Sequence, residues 1–290
     1  MKPFVSVCTP TYNRRPFLSA MFECFRQQDY PASRMEWIII DDGTDSVQDV
    51  VEAANIPQIK YIRLPYRVTL GHKRNLMHTH CKGDILVYMD DDDFYTPDRV
   101  SHAVEVLELN PGALCAGSSI LHIYFKHLDK IIEFGPYGPM HATAGTFAFR
   151  KQLLMQTKYE DEATMGEEKY FLKNYTIPLV QLNPRKVMLC FSHDHNTFDK
   201  RVLLQNPERS IMQETDLTVH DFVQDDKLMK FYLAELPIAL CTYIAGRKEF
   251  SIRVGSRVLT GNEILEHLNQ QQTYIKKLES RVKELSNSLK

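Results

Sequence analysis

Apolar and polar residues alternate along the first 109 residues in blocks typical of strands and helices. Apolar runs of strand length lie at 4–10, 35–42, 59–65 and 84–90. Helical spacing or a short helical pattern follows them at 17–25, 47–54, 72–80 and 97–109. This alternation predicts an α/β fold with a Rossmann-like, mostly parallel sheet flanked by helices. The fourth apolar run, "DILVYMD", is almost continuous, which is typical of a central strand covered on both faces.

The second half of the chain is less regular. A short strand is predicted at 146–149, a helix within "GEEKYFLKN" and a strand at "KVMLCF", whereas 216–261 carries no motif. From Asn262 onward Gly and Pro are absent, and a heptad pattern runs to the end. Its a positions are Leu268, Ile275, Val282 and Leu289, and its d positions are Ile264, Gln271, Leu278 and Leu285. We therefore expect a catalytic or binding domain at 1–215, a mixed extension at 216–261 and a coiled-coil oligomerisation helix at 262–290. An amphipathic helix folded back on the domain is the alternative, and the oligomer number stays open.

Composition narrows the function classes. The net charge is −2 and the pI is about 6.6, so no global field favours nucleic acid or an anionic membrane. The six cysteines are scattered and form no C-x-x-C pair, which favours reduced thiols inside a cell. The N-terminal sequence lacks the pattern of a signal peptide, and the apolar run "LPIALCTYIA" is too short to span a bilayer. We expect a cytoplasmic protein without a transmembrane segment.

Four consecutive aspartates, Asp90 to Asp93, follow the predicted central strand. Carboxylates clustered at the end of a buried strand cost free energy unless a cation neutralises them. Oxygen ligands suit Mn²⁺ or Mg²⁺, and Mg²⁺ is commonly shared with phosphate oxygens. The alternative is a solvated acidic loop ahead of the helix that starts near Pro97.

Two more polar loops end predicted strands, "TPTYN" and "DDG". In parallel sheets, ligands bind at the carboxyl ends of the strands, so these loops and the aspartates share one rim. Tyr12 could stack on a nucleobase, and Asp41 or Asp42 could accept hydrogen bonds from a base or ribose. In "GHKRN", Lys73 and Arg74 begin a helix where a cation can meet a diphosphate. The structural alternatives are a packed aromatic ring for Tyr12, a turn for the two aspartates and a solvated helix face for the two cations.

The order of these motifs resembles the inverting family-2 glycosyltransferases, which have the GT-A fold. The motifs in order are strand-"TPTYN", strand-"DDG", a "KRN" helix and strand-"DDDD"-"YTPDR". The resemblance extends from Phe4 to about Phe198 and is strongest over the first hundred residues. It implies a transferase (EC 2.4) that moves a sugar from a nucleotide-diphosphate sugar, most often a UDP-sugar, to a hydroxyl of a glycan or protein acceptor.

The resemblance also implies roles for single residues. Those implied for donor binding are Pro10, Thr11, Tyr12, Asp41, Asp42, Arg74, Asp90 and Asp91. The DxD motif of the family falls on Asp90 to Asp92, with Asp92 as the ligand of Mn²⁺ or Mg²⁺ and Asp90 or Asp91 contacting the ribose or the metal, although four acids in a row allow more than one register. His193 and His195 alternate on a predicted extended segment after a strand, so they point the same way and one of them could contact the metal or the diphosphate. The acidic pair before a helix, Glu167 and Glu168, would supply the catalytic base, and which of the two does so stays open.

Two rival functions are weighed against this one. A sugar nucleotidyltransferase would carry a glycine-rich loop after the first strand, and "TPTYNRRPF" has no glycine. A non-catalytic scaffold that oligomerises through its tail would have lost the metal motif or the late carboxylate, and both are present. The sugar, the nucleotide base and the acceptor are not specified by these motifs.

Overall fold

Strands and helices alternate through the first part of the chain, as predicted. In the computed structural model the described residues are 2–163, 166–205, 211–245, 251–254, 257–260, 271 and 274–282. The first elements are β1 (Val5–Thr11), α1 (Leu18–Arg26), β2 (Met35–Asp41), α2 (Gln48–Ala54), β3 (Ile59–Arg63), α3 (Leu70–His80), β4 (Ile85–Tyr88), β5 (Phe94–Tyr95) and α4 (Arg99–Leu109).

The next elements are shorter. They are β6 (Cys115–Gly117), β7 (Leu121–Phe125), β8 (Lys130–Phe134), β9 (Ala148–Arg150), α5 (Glu168–Phe171), β10 (Leu179–Gln181), β11 (Met188–Ser192), α6 (Val202–Gln205), β12 (Met212–Glu214), α7 (Asp226–Lys230), a π-turn (Phe231–Glu235) and α8 (Leu236–Thr242). Single 3₁₀ turns lie at Arg15–Phe17, Ala32–Arg34, Ala144–Thr146, Lys151–Met155, Pro184–Lys186 and Val219–Asp221.

The larger sheet has the strand order β10-β6-β9-β4-β1-β2-β3. Strands β4, β1, β2 and β3 are parallel, and β10 is parallel to β6, but β9 runs antiparallel between β4 and β6. The predicted α/β class is therefore confirmed, with a mixed sheet. Because β1, β2 and β4 are mutually parallel, the loops after them meet at one edge.

Both faces of the central strands are buried. On β2, Trp37 and Ile39 pack into one apolar cluster with α1 and α4, whereas Ile38 and Ile40 pack into a second cluster beside α3. Successive side chains of a strand point to opposite faces, so a strand covered on both faces must be apolar throughout. This explains the continuous apolar runs seen in the sequence.

A second sheet, which the sequence pattern did not predict, has the order β12-β8-β7-β11-β5. Its edge strand β5 pairs antiparallel with β11, matching Tyr95 with Met188. The aspartates Asp90 to Asp93 lie between β4 of the larger sheet and β5 of the smaller one. The loop that carries them is thus held by a sheet at each end.

The chain divides into two compact units, Met1–Gly246 and Arg247–Lys290. In the second unit, β13 (Ser251–Val254) and β14 (Arg257–Thr260) form an antiparallel hairpin, and 274–282 is helical. Most of the predicted coiled coil at 262–290 lies outside the described residues, so the coiled coil and the oligomer stay predictions. Within the described part of the chain, every helix is too short or too polar to cross a membrane.

Arg99 on α4 connects the end of β4 to the loop before β9. Its Nη2 donates to the carbonyls of Tyr88 (3.2 Å), Thr146 (2.8 Å) and Phe147 (2.8 Å). Burial lowers the pKa of Arg99 to about 10, so the guanidinium stays charged at neutral pH. One charged donor group therefore satisfies three backbone acceptors in the protein interior.

Replacing Arg99 with methionine should lower the free energy of unfolding by about 2–4 kcal/mol, because buried carbonyls lose a charged donor. Urea unfolding followed by circular dichroism measures this. Arg26 on α1 is exposed and gives a matched control, since Arg26→Met should cost less than about 1 kcal/mol. Equal small losses in both variants would contradict the role assigned to Arg99.

Candidate active site

The loops after β1, β2 and β4 border a cleft of about 690 Å³. Of the residues predicted from the sequence, those that line it are Pro10, Thr11, Tyr12, Asp42, Arg74, Asp90, Asp91 and Asp92. These motifs are up to 82 residues apart in the sequence. They meet because the carboxyl ends of the parallel strands lie at one edge of the sheet.

The aspartates of this cleft are paired with cations from distant segments. Arg14 Nε lies 3.4 Å from Asp91 Oδ1, and Arg14 Nη2 lies 3.8 Å from Asp92 Oδ2. Lys200 Nζ lies 3.7 Å from Asp93 Oδ1. Sequence reasoning missed both cations, although charge balance was a usable signal. Four clustered acids require basic partners, and Arg14 follows the first rim loop directly.

The aspartates titrate differently. For Asp92, burial alone would raise the pKa, but the hydrogen bond with His193 and the charges of Lys200 and Arg14 hold it well below its usual range. Burial raises the pKa of Asp91 and of Asp93 above the ordinary value, against the opposing charges of Arg14 and Lys200. Asp92 is therefore the carboxylate of this loop that stays ionised over the widest pH range.

His193 approaches the aspartate loop, and His195 is held elsewhere. His193 Nε2 lies 3.5 Å from Asp92 Oδ2, and Asn196 Nδ2 donates to the same oxygen at 3.2 Å. The His195 ring instead lies 5.7 Å from the ring of Tyr243, and both histidines lie outside the cleft lining. The segment after β11 turns rather than staying extended, so the two histidines do not face one point.

The donor groups around Asp90 to Asp92 suit a divalent cation shared with a ligand. Asp90 Oδ1 is buried and accepts no hydrogen bond from the part of the chain that the structure describes. Among those residues, no three His, Cys, Asp or Glu side chains gather closely enough to hold a metal ion alone. Mg²⁺ is commonly bound by one or two carboxylates together with substrate phosphates. The residues present fit that second arrangement.

The loop after β1 carries an aromatic surface with cations beside it. The guanidinium of Arg67 lies 4.3 Å from the ring centroid of Tyr12, and Lys73 Nζ lies 5.9 Å from it. Lys73 also donates to Asp42 Oδ1 and, at 2.9 Å, to the carbonyl of Thr11. Lys73 therefore ties the loop after β1 to the loop after β2.

Asp41 and Asp42 have different environments. Asp41 is fully buried and accepts from Tyr61 Oη (2.7 Å), Gly43 N (2.8 Å) and Val47 N (3.2 Å). Asp41 is absent from the cleft lining, because its carboxylate closes the turn after β2. The structure therefore does not bring Asp41 to the predicted donor site, whereas Asp42 lines the cleft.

Arg74 links the aspartate loop to the predicted base. Its Nε lies 3.1 Å from Glu167 Oε1 and its Nη2 lies 3.8 Å from Asp90 Oδ1. The rings of Tyr88 and Tyr159 lie 4.5 Å and 5.7 Å from its guanidinium. Burial alone would lower the pKa of Arg74, but the charges of Glu167 and Asp90 hold it above the ordinary value.

Glu168 differs from its neighbour Glu167. Glu167 is buried against Arg74, whereas Glu168 is half-buried at the first position of α5. Burial raises the pKa of Glu168 above its ordinary value, and the neighbouring Glu167 adds to that shift. Glu167 therefore forms a buried ion pair with Arg74, whereas Glu168 is a half-buried carboxyl group with a raised pKa.

The sequence model of the family described as "Glycosyl transferase family 2" matches residues 6–157. The chain belongs to glycosyl transferase family 2. The resemblance drawn from the motifs is thereby confirmed. An uncharacterised glycosyltransferase of Haemophilus influenzae is 32% identical over 107 residues, which cover 37% of this chain and 35% of that one. The match spans about a third of this relative's length.

Solved structures share the fold of this family member. A mannosyltransferase of Pyrobaculum calidifontis, PcManGT, in complex with GDP-Man and Mn²⁺, superposes with a TM-score of 0.57 over 84% of this chain and 73% of that one, at 18% identity. S. aureus TarS in complex with UDP-GlcNAc has a TM-score of 0.51 over 65% of this chain and 58% of that one, at 20% identity. At these identities the likeness concerns the fold.

Behind the cleft of this family-2 glycosyltransferase, His78 supports Tyr88. His78 Nε2 lies 2.6 Å from Tyr88 Oη, and Tyr88 in turn packs on Arg74. Burial, helped by the charge of Arg74, lowers the pKa of His78 to about 3. The imidazole therefore stays neutral in the folded protein at pH values where an unfolded chain would protonate it.

We expect this histidine to make the protein acid-sensitive. As the pH falls through about 6.5, the unfolded chain binds a proton that the folded chain excludes, so stability decreases toward pH 3. Between pH 6.5 and 4.5, the wild type should lose about 2–3 kcal/mol more than His78→Gln. Urea unfolding at several pH values measures this difference, and parallel pH curves for the two proteins would contradict it.

Proposed function

We propose that this protein is a metal-dependent inverting glycosyltransferase. It transfers a sugar from a nucleotide-diphosphate sugar to a hydroxyl group of a glycan or protein acceptor. The observation that carries the proposal is the cleft where Asp90, Asp91 and Asp92 lie beside the cations of Arg14 and Arg74. A metal-bound diphosphate needs both kinds of group, carboxylates for the cation and guanidinium groups for phosphate oxygens.

The nucleoside would occupy the part of the cleft formed by the loops after β1 and β2. Pro10, Thr11 and Tyr12 border it, and Asp42 reaches it from the neighbouring strand. The stacked pair of Tyr12 and Arg67 offers a flat, cationic surface that suits a nucleobase. Asp41 is left out of this set, because its carboxylate already closes an internal turn.

Asp92 and Asp90 would hold Mn²⁺ or Mg²⁺ together with the donor, and His193 lies beside Asp92 as a further contact. Such an ion, when bound, stabilises negative charge on the leaving diphosphate. Arg14 lies within 3.8 Å of Asp91 and Asp92 and is placed to meet phosphate oxygens. Asp91 would support the site through Arg14.

Glu168 is the base that we propose. An inverting transfer needs a carboxylate that takes the proton from the acceptor hydroxyl as this hydroxyl attacks the anomeric carbon. A half-buried carboxylate with a raised pKa suits that task at neutral pH, and Glu168 lies just outside the residues that line the cleft. Glu167 forms an ion pair with Arg74, so we assign it the role of orienting that guanidinium.

Two solved structures with this fold support the donor class. One contains UDP-GlcNAc, and the other contains GDP-Man and Mn²⁺. Both ligands are nucleotide-diphosphate sugars, so the common feature that we carry over is the diphosphate link. We propose a UDP-sugar as the donor and test it against a GDP-sugar.

Replacing Asp92 with asparagine should lower turnover of UDP-GlcNAc or GDP-mannose at least about 100-fold and remove Mn²⁺-dependent binding of the nucleotide, because a metal ligand is lost. Donor hydrolysis and calorimetry measure the two effects, and circular dichroism checks the fold. Asp98 directly precedes α4 on the same segment and pairs with Lys186 at 3.2 Å. Asp98→Asn is the matched control and should leave turnover within about twofold. Unchanged turnover in Asp92→Asn would remove Asp92 from the metal site.

The acidic pair can be separated by two equivalent substitutions. Glu168→Gln should lower kcat by about 10²–10⁴-fold with nucleotide affinity kept, because a general base is lost. Glu167→Gln should weaken nucleotide binding by about tenfold, because buried Arg74 loses its partner. Steady-state kinetics and calorimetry with UDP measure both. The reverse pattern would assign the base to Glu167.

A further inference from the structure

The last helical segment of the first unit covers 226–242 and carries no sequence motif. Asp225 caps its start by accepting from the backbone N–H groups of Lys227 (2.8 Å) and Leu228 (2.9 Å). Gln27, just after α1, donates to the other carboxylate oxygen of Asp225 at 3.0 Å. The segment is therefore anchored to the core of the glycosyltransferase unit.

Pro237 explains why this segment contains a π-turn. In a regular helix, the N–H of residue 237 would donate to the carbonyl of Leu233, but proline has no N–H. Lys126 Nζ donates to that carbonyl instead, at 3.1 Å. The N–H of Leu236 donates to the carbonyl of Phe231, which is five residues earlier. The extra residue in the turn shifts the register of the helix at 231–235.

The π-turn places Tyr232 against the aspartate loop. The Tyr232 ring stacks on Phe191 of β11 with centroids 4.3 Å apart, and its Oη donates to the carbonyl of Asp93 at 3.1 Å. Burial raises the pKa of Tyr232 well above its ordinary value, so the hydroxyl stays protonated and can donate. The loop thus receives a hydrogen bond from a residue 139 positions later in the chain.

Phe191 contacts both Asp93 and Tyr232. Its backbone N–H donates to Asp93 Oδ1 at 3.2 Å, while its ring supports Tyr232. Asp93 is therefore held at its carbonyl by Tyr232 and at its carboxylate by Phe191 and Lys200. Asp93 is the last of the four aspartates, so these contacts fix where Asp92 and Asp90 lie.

We propose that Tyr232 is a positioning residue for the donor site. It holds the loop of Asp90 to Asp93 in the geometry that binds the metal and the nucleotide. The helical segment 226–242 is then part of the donor site, although it touches no reacting atom. This inference rests on the proposed function for its effect on binding, and on the structure alone for its effect on the loop.

The test compares two tyrosines that differ in one contact. Tyr232→Phe keeps the stacking on Phe191 and removes the hydroxyl that bonds Asp93. Tyr124→Phe is the matched control, because Tyr124 is buried, lies 5.7 Å from the same Phe191 ring and donates to Asp129 at 2.8 Å, outside the cleft lining. Each change removes one hydroxyl that donates a single strong hydrogen bond, which is buried for Tyr232 and partly buried for Tyr124.

Hydrogen exchange of the amides at 90–95 and calorimetry with UDP or GDP in Mn²⁺ are the measurements. In Tyr232→Phe, exchange of these amides should be about three- to tenfold faster, and nucleotide binding about three- to tenfold weaker, with kcat less affected than KM for the donor. Tyr124→Phe should match the wild type in both.

The outcomes are distinguishable. Exchange at 90–95 that is unchanged in Tyr232→Phe, or equally faster in Tyr124→Phe, would overturn the positioning role. Faster exchange with wild-type nucleotide affinity would overturn the link to the donor site. If the wild type binds neither nucleotide, the proposed function fails, while the exchange result still decides whether Tyr232 fixes the loop.

Discussion

The structure depends on balancing the charge of four consecutive aspartates in a loop between two sheets. Each carboxylate that loses water needs an opposite charge or a hydrogen bond, since an unpaired buried charge costs several kcal/mol. Here the partners come from separate segments, with Arg14 after β1, Arg74 on α3 and Lys200 after β11. These ion pairs therefore hold the three segments around the loop, and residues of all three segments line the cleft.

The same requirement connects the donor side of the cleft to the base side. Arg74 lies between Asp90 and Glu167, and the rings of Tyr88 and Tyr159 cover its guanidinium. Both carboxylates are attracted to the same guanidinium. A shift of one carboxylate therefore changes the electrostatic interaction of Arg74 with the other. The donor and acceptor ends of the proposed reaction thus depend on one buried arginine.

The amino-acid sequence was sufficient to predict the first four strands and their helices, because long apolar runs are local signals. The carboxyl-edge rule then predicted which loops meet. It did not reveal the second sheet, whose strand β5 has two residues and which pairs the local hairpin of β7 and β8 with strands from distant segments. The motif implied donor binding by Asp42 together with Asp41. Strand alternation sends them in different directions, and which one faces the cleft depends on tertiary packing. His193 and His195 were predicted to face one way, but the chain turns between them.

The segment 226–242 shows why a region without motifs can still serve a site. Pro237 removes one helical hydrogen bond, but the structural consequence depends on Lys126, which satisfies the freed carbonyl, and on Phe191, on which Tyr232 stacks. Neither contact has a local sequence signal. Repulsion between neighbouring carboxylates destabilises this loop, and a hydrogen-bond donor on another segment can help to hold it. The hydroxyl of Tyr232 is such a donor, and its neutral character matters. A further cation at Asp93 would compete with Lys200 and lower the negative field that a metal ion requires. A neutral hydrogen bond to the backbone holds the loop without changing that field.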